Sequence, residues 1–429
     1  MKIRNLRWWI AGLLALATAL SYLDRVCFPN VVNEVRKELP ISTADYSRLM
    51  SLFLLAYGLM YAGGGWILDR LGTRWGYFLM ITWWSASNFL TGFVTSVGGL
   101  KVFRFMLGMG EGGGFPGSGK AVSEWFPPRE RSFAFGLFNT GSALGAIVAA
   151  PLLAWMSLAF GWRWVFFLSG SAGFLWALAW LFLYQTPDQS RRITVEERDA
   201  IQKELPSRSL LGARLRWIDL FRYRQVWGLM AAKLLTDSVW FFLMFWLPKY
   251  LIDARRFDTK QIGYYAWIPW LFAGAGSFLG GGLGSLLIRR GFSLDRSRKI
   301  ALGSAACLMP AATLIEWTPV GAAIVFYSVA MMGHQFWSAN VQTLAADIFP
   351  SRVVGSVEGL LGSASALGAA VIGEGFGWII GHHGYAVPFL LCGVMHLVGF
   401  GIILGLVRRI EPVTLETGQD PLPAAGLKP

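Results

Sequence analysis

Six ionisable residues of this 429-residue chain stand where ionisable residues are costly. Asp24-Arg25, Arg104-x6-Glu111 and Lys233-x3-Asp237 each fall inside a long apolar stretch. A charge in hydrocarbon costs on the order of 3 kcal/mol or more, so such groups are candidates for function. Arginine offers a planar fork of donors that holds a carboxylate in two places. Arg25 and Arg104 are therefore candidates for gripping an anion. The spacing of Arg104 and Glu111 is two helical turns, about 10 Å, and places both on one face. An anion competing for that arginine would free Glu111 to take a proton. Asp24, beside Arg25, is a second candidate proton carrier. The alternative is internal neutralisation, each arginine balancing Asp24 or Glu111. Lys233 and Asp237 are spaced i, i+4, the reach of a helical ion pair. They read first as a structural pair, with Lys233 as an anion-binding cation in the alternative.

Polar and aromatic residues on the same stretches supply donors and acceptors for a hydroxyl-rich ligand: Tyr22, Tyr57, Asn139, His334, Gln335, Trp337, Asn340, Ser363 and Ser365. Each has an alternative role as a helix-to-helix hydrogen bond. No chemistry of bond making has a foothold. The histidines (His334, His382, His383, His396) and cysteines (Cys27, Cys307, Cys392) form no metal or disulfide spacing. No nucleotide-binding loop or nucleophile elbow occurs. The sequence thus predicts neither an enzyme nor a metal or cofactor.

The elements that must position these residues are membrane helices. Hydrophobic types make up 55% of the chain and charged types 15%, with 21 Trp and 31 Phe. An ordinary soluble domain is about 25% charged, so a soluble enzyme is excluded. Apolar windows fall at 8–28, 47–68, 76–97, 100–125, 133–158 and 163–184. They resume at 225–252, 262–288, 300–316, 319–346, 354–380 and 386–407. Each approximates the 20 or so residues of a spanning helix. The net charge of +13 is read as topology and not as nucleic-acid binding. Of the Lys and Arg residues, 25 lie in the tails and even-numbered loops and 9 in the odd-numbered ones, which predicts cytoplasmic termini. Met1–Leu20 has the charge pattern of a signal peptide, yet it runs on into Tyr22-Leu23-Asp24-Arg25 without a convincing cleavage site. The expected organisation is a bundle at 1–184, a linker at 185–224, a second bundle at 225–410 and a tail at 411–429. The linker segment Thr194–Ile201 reads as a capped amphipathic helix lying on the membrane face.

The two halves repeat. A shift of 223 residues aligns 126–170 with 349–393 at 16 identities in 45 positions, without a gap. Ser142-Ala143-Leu144-Gly145-Ala146 falls on Ser365-Ala366-Leu367-Gly368-Ala369. A parallel duplication of six helices places a binding site between the halves, near mid-membrane. Gly141-x3-Gly145 and Gly276-x3-Gly280-x3-Gly284 allow close helix approach, either as a sliding surface or as static packing. Gly65-x3-Asp69-Arg70-x-Gly72-x-Arg74 reads as a conformational motif, with Lys120 and Glu124 as possible members of its network.

These motifs carry a resemblance. The Asp69-Arg70 segment resembles the signature loop of the major facilitator superfamily, and Arg289-Arg290-Gly291 looks like its degenerate second copy. Tyr22-Leu23-Asp24-Arg25, Tyr57 before Gly63-Gly64-Gly65, Arg104-x6-Glu111 and Ser123-Glu124-Trp125-Phe126-Pro127 resemble the anion:cation symporter family. Asn5-Leu6-Arg7-Trp8, Ile41-Ser42-Thr43, Phe138-Asn139-x-Gly141-Ser142 and Thr194-x-Glu196-Glu197-Arg198 are most similar to bacterial hexuronate transporters. The resemblance implies twelve transmembrane helices in two pseudo-symmetric six-helix bundles, in the bacterial inner membrane. It implies proton-driven import of a sugar acid by a monomer, with Arg25 and Arg104 on the carboxylate and Asp24 and Glu111 carrying protons. The chain departs from many members of the family at Tyr61-Ala62-Gly63 and Gly112-Gly113, and carries Ser142 where some aldonate-type members have Gln. Aldonates, aldarates and other organic anions, or a non-transporting sensor of the same fold, stay open as alternatives.

Overall fold

The computed structural model describes residues 2–126, 128–204, 217–349 and 351–413. The first half holds α1 (Leu6–Arg36), α2 (Thr43–Thr91), α3 (Val97–Glu111), α4 (Gly114–Trp125), α5 (Pro128–Phe160) and α6 (Trp162–Leu183). The short α7 (Val195–Glu204) and α8 (Trp217–Leu220) belong to the linker. The second half holds α9 (Arg224–Asp253), α10 (Thr259–Tyr265), α11 (Ile268–Arg289), α12 (Leu294–Leu308), α13 (Val320–Ile348), α14 (Ser351–His383) and α15 (Ala386–Ile402).

Among the described residues, thirteen helices outside the linker group into twelve rods, six in each half. The 49-residue α2 is two spans joined at Gly72, whose φ of 75° and ψ of 160° break the helix. A side chain there would pay the strain of the left-handed region, which glycine avoids. Helices α3 and α4 form one span interrupted at Gly112-Gly113. Helices α10 and α11 form another, and α12 continues into a 3-10 segment at Met309–Leu314. Among the described residues, eight helical segments are long and apolar enough to cross a membrane by length and composition alone. The others are short, broken or polar. Helix α13, for example, carries His334, Gln335, Asn340 and Gln342.

The repeat seen in the sequence governs the backbone. Helices α5 and α14 are both 33 residues long, in register at the 223-residue shift. Each ends before a glycine of positive φ, Gly161 at 91° and Gly384 at 73°. Gly72 and Gly291, one in each copy of the signature loop, also have positive φ, 75° and 88°.

Within each half, small residues bring helix axes together. A Cβ on Gly145 would stand 2.2 Å from the Ala19 carbonyl oxygen, so α5 packs directly on α1. A Cβ on Gly276 would stand 2.2 Å from the Met332 oxygen, so α11 packs on α13. Both contacts lie inside one half. The glycine stripes are therefore static packing surfaces and not a plane on which the halves slide.

The described start and end of the chain and the described linker residues lie on one face. Ile3 bridges to Ile193, and Glu197 accepts the backbone N–H of Leu6 at 3.0 Å and of Arg7 at 3.2 Å. Ile410 N–H reaches Asp295 at 2.9 Å. Ile193 and Ile201 are fully buried, so α7 packs against the bundle's own first helix. Glu197 thereby caps the otherwise open N–H groups at the start of α1.

The halves meet through α1 on α9, α2 on α14, and α5 on α10 and α11. Polar contacts between them cluster at the face opposite the termini. Arg36 pairs with Asp253 at 2.8 Å, and Lys249 shares that carboxylate. Thr259 donates to Glu34 at 2.6 Å, Ser47 to the Gly373 carbonyl at 2.8 Å, and the Tyr46 hydroxyl to the Phe245 carbonyl.

Candidate functional site

Below that seal lies a cavity between the halves, of about 130 Å³. Its first-half wall is Tyr22 and Arg25 from α1, Tyr57 and Tyr61 from α2, Phe115 from α4 and Ser142 from α5. The second-half wall comes from α9 (Lys233, Asp237, Trp240, Phe241), α13 (His334, Gln335, Ser338, Gln342) and α14 (Gly362, Ser365, Ala366). The spacings are helical. Tyr57 and Tyr61 are one turn apart, and Gln335, Ser338 and Gln342 follow i, i+3, i+7 along one face.

Arg25 is the centre of the first wall. Its Nε and Nη2 donate to Oε2 of Glu111 at 2.9 and 2.8 Å. The Ser21 hydroxyl donates to the same oxygen at 3.1 Å, while Oε1 is buried without a partner among the described residues. The guanidinium lies 4.7 Å from the Tyr22 ring centre and 4.9 Å from that of Tyr57. These rings favour the cation and restrict its plane. The arginine is thus a preoriented cation at the cavity edge, held by an internal carboxylate on its far side.

This overturns the pairing suggested by sequence spacing. Glu111 pairs with Arg25 and not with Arg104. Asp24 does not balance Arg25: it accepts from Asn88 at 2.8 Å, and Asn88 also reaches Ser169 at 2.6 Å. Oδ2 of Asp24 is buried without a partner among the described residues. Arg104 does not line the cavity. Its two terminal nitrogens each donate to the Arg25 carbonyl oxygen at 3.3 Å, and the group sits 5.0 Å from the Phe53 ring centre. No carboxylate lies within 4 Å of it among the described residues.

On the second wall, Lys233 Nζ meets Asp237 Oδ2 at 2.9 Å, and Ser365 donates to that oxygen at 2.7 Å. The i, i+4 pair forms as spaced, but both members face the cavity. Glu358, on α14, is electrostatically coupled to both. Sequence analysis passed over Glu358, although it is an acid inside the window 354–380. Tyr61, Ser338 and Gln342 were also missed as lining residues; the helical faces they share with Tyr57 and Gln335 were the available signal.

Several other expected residues turn away from the cavity. The Trp337 indole donates to Thr236 at 3.1 Å. Asn340 donates to the Gly280 and Phe336 carbonyls at 3.0 and 3.1 Å, holding α11 to α13. Ser363 does not line the cavity, and its hydroxyl has no partner among the described residues. For Trp337 and Asn340 the helix-to-helix alternative holds. The side chains of Asn139 and Asp69 lie outside the described residues.

Around Asp69 the motif ties three helices at the terminal face. Arg74 donates to the Leu181 carbonyl at 3.0 and 2.6 Å, and Lys120 to the Leu68 carbonyl at 2.8 Å. Glu124 accepts from Thr73 at 2.7 Å and from Tyr184 at 2.5 Å. Arg70 lies over the Trp66 ring at 4.2 Å, and Gly65 has open space beside it.

Comparison with known proteins adds four findings. The family model described as Major Facilitator Superfamily matches residues 14–373. The chain is 34% identical to the hexuronate transporter of Escherichia coli (strain K12), over 98% of this chain and 99% of that one. It is 35% identical to the galacturonate transporter of Dickeya chrysanthemi, over 72% of this chain and 90% of that one. Among solved structures, a bacterial homologue of the human lysosomal transporter Spinster, inward-facing and occupied, superposes with a TM-score of 0.73. It is 18% identical, over 95% of this chain and 98% of that one, a likeness of fold.

Proposed function

This chain belongs to the major facilitator superfamily, and we propose that it imports a sugar acid, a hexuronate, together with protons across the bacterial inner membrane by alternating access. The observation that carries the proposal is the state of Arg25. It is a cation lining the cavity, and its internal partner Glu111 is bound through one oxygen only. A substrate carboxylate and Glu111 compete for one guanidinium. When Glu111 takes a proton it lets go, and the substrate carboxylate takes its place. Anion and proton therefore enter together, which is the requirement for symport. Asp24, with its unpartnered oxygen, is the second proposed proton site. Arg104 acts through Arg25, whose carbonyl it holds. The Asp69 motif is the proposed latch on the terminal, cytoplasmic face, and the Arg36–Asp253 seal closes the outer face.

The far wall favours one carboxylate over two. Lys233 is the only cation among its described lining residues, and Asp237 already pairs with it at 2.9 Å. A second acid group on the ligand would find no free cation there. A hydroxyl-bearing tail would instead find Gln335, Ser338 and Ser365. This supports a hexuronate or aldonate over an aldarate. The identities to hexuronate and galacturonate transporters support the hexuronate. Purified protein in liposomes should accumulate labelled galacturonate when the outside is acidified, and unlabelled galacturonate should compete better than galactarate. Binding without accumulation would identify a sensor and defeat the proposal.

A further inference from the structure

Two histidines, 62 positions apart, meet beside the cavity. Nδ1 of His334 on α13 and Nε2 of His396 on α15 are 3.1 Å apart. Both rings are buried, but His334 lines the cavity. Its ring stacks on Trp240 with centres 4.9 Å apart and planes at 14°. That contact fixes the plane of the imidazole. The transport scheme above uses neither residue.

A hydrogen bond between two imidazoles needs one donor and one acceptor. The remaining nitrogen decides which is which. Nδ1 of His396 is buried and has no partner among the described residues. The neighbouring Trp337 indole is committed to Thr236, and the Thr236 hydroxyl to the Ala232 carbonyl at 2.9 Å. A proton on that nitrogen would be a buried donor without an acceptor, which folded proteins avoid more strictly than an idle acceptor. The His396 proton therefore sits on Nε2 and points at Nδ1 of His334. His334 accepts there, so its own proton sits on Nε2, the nitrogen left for the cavity.

We propose that this pair is a fixed hydrogen-bond donor that reads one oxygen of the substrate's hydroxyl-bearing end. His334 makes the contact. His396 touches no substrate and is a positioning residue that sets the tautomer. An N–H in a fixed plane rewards an oxygen lone pair at one place and leaves a deoxygenated analogue unrewarded. The proposal rests on the sugar-acid reading: with the carboxylate on Arg25 in the first half, the far end of the ligand meets the second half, where His334 stands.

The test is calorimetric binding of D-galacturonate and its monodeoxy analogues to the purified full-length chain. For the parent, loss of one particular hydroxyl should weaken binding about tenfold. His334→Phe keeps the stack on Trp240 and should lose that discrimination, binding galacturonate and the deoxy analogue alike. His396→Leu should do the same from outside the cavity. His396→Gln, whose amide can donate to His334 Nδ1, should restore it. An unchanged analogue profile in folded His334→Phe overturns the proposal, as does full discrimination in folded His396→Leu. Nitrogen-15 spectra of the parent supply a readout independent of any variant's folding: a His334 proton on Nδ1 also overturns it. If the parent binds no sugar acid at all, the substrate reading fails, and the spectra still decide the tautomer.

Discussion

Glu111→Gln isolates the competition at Arg25. In the parent, an incoming carboxylate must displace a carboxylate that takes two N–H groups of Arg25 at 2.9 and 2.8 Å. A hydrogen bond to a charged group nets about 1.5–3 kcal/mol. Glutamine keeps an oxygen near Arg25 but removes the charge. Relief of even one such bond tightens substrate binding by about 1.4 kcal/mol or more, a factor of ten. The free variant also holds a buried cation without its anion, and breaking a buried pair costs about 3–5 kcal/mol. Its melting temperature should therefore fall without substrate and recover steeply with it. The pH dependence has a definite sign. If binding takes up one proton, the parent's Kd rises with pH by up to about tenfold per unit once Glu111 is ionised in the free protein. The variant takes up none at position 111, and its Kd should vary less with pH than the parent's. In liposomes the variant should exchange substrate in counterflow but not concentrate it against a pH gradient. A parent Kd independent of pH, or normal pH-driven accumulation by the variant, would refute the argument. Loss of binding would show instead that Glu111 holds the site together.

Arg25→Lys keeps the charge and loses the fork, so counterflow should need at least about tenfold more substrate; parental behaviour would remove Arg25 from the anion site. Asp253→Asn loosens the seal by weakening its hold on Arg36 and Lys249. Hydrogen exchange over 249–259 should speed up while galacturonate affinity stays near the parent's, and unchanged exchange would move the seal elsewhere. Gly145→Val forces a side chain against the Ala19 oxygen and should cost about 1–3 kcal/mol of stability. Gly65→Ala, with open space at its Cβ, should melt like the parent, and equal melting of the two variants would contradict the α1–α5 packing.

The architecture was legible because a bilayer leaves few options. Apolar windows had to be helices, and the 223-residue repeat had to be two copies of one unit. Window ends were less legible. The first window stops at 28, but α1 runs to Arg36, because its polar end is sealed against Asp253 of the other half. Charge pairing was the least legible feature. Neighbours such as Asp24 and Arg25 point about 100° apart on a helix, and residues seven apart are about 10 Å apart. Neither spacing lets the members touch. The partner of Glu111 comes from another helix, at a crossing that only the packing of α1 on the broken α3–α4 span defines. Glu358 escaped notice for a related reason. An acid four residues inside the edge of a window looks like a helix end until α9 brings Lys233 and Asp237 alongside.

The duplication preserved the skeleton and let the chemistry diverge, and that division follows from what the molecule must do. Alternating access needs two related halves that can rock about a common site. The related features are backbone features: α5 and α14 at equal length, Gly161 and Gly384 at positive φ. Ser142 and Ser365, related by the same shift, both reach the cavity wall. The substrate has no such symmetry. A sugar acid has one charged end and one hydroxyl-bearing end, so a symmetric cavity would bind it in two orientations. The walls accordingly differ. The first offers Arg25 between two tyrosine rings, with its counter-charge behind it. The second offers Lys233 already occupied by Asp237, and a histidine whose proton is set by a partner outside the cavity. In the proposed scheme, charge at one wall fixes which end enters there, and neutral donors at the other decide which sugar follows. The chemical asymmetry lies in side chains on related helices, so in the proposed cycle the two halves would exchange the open and closed faces while the ligand keeps one orientation.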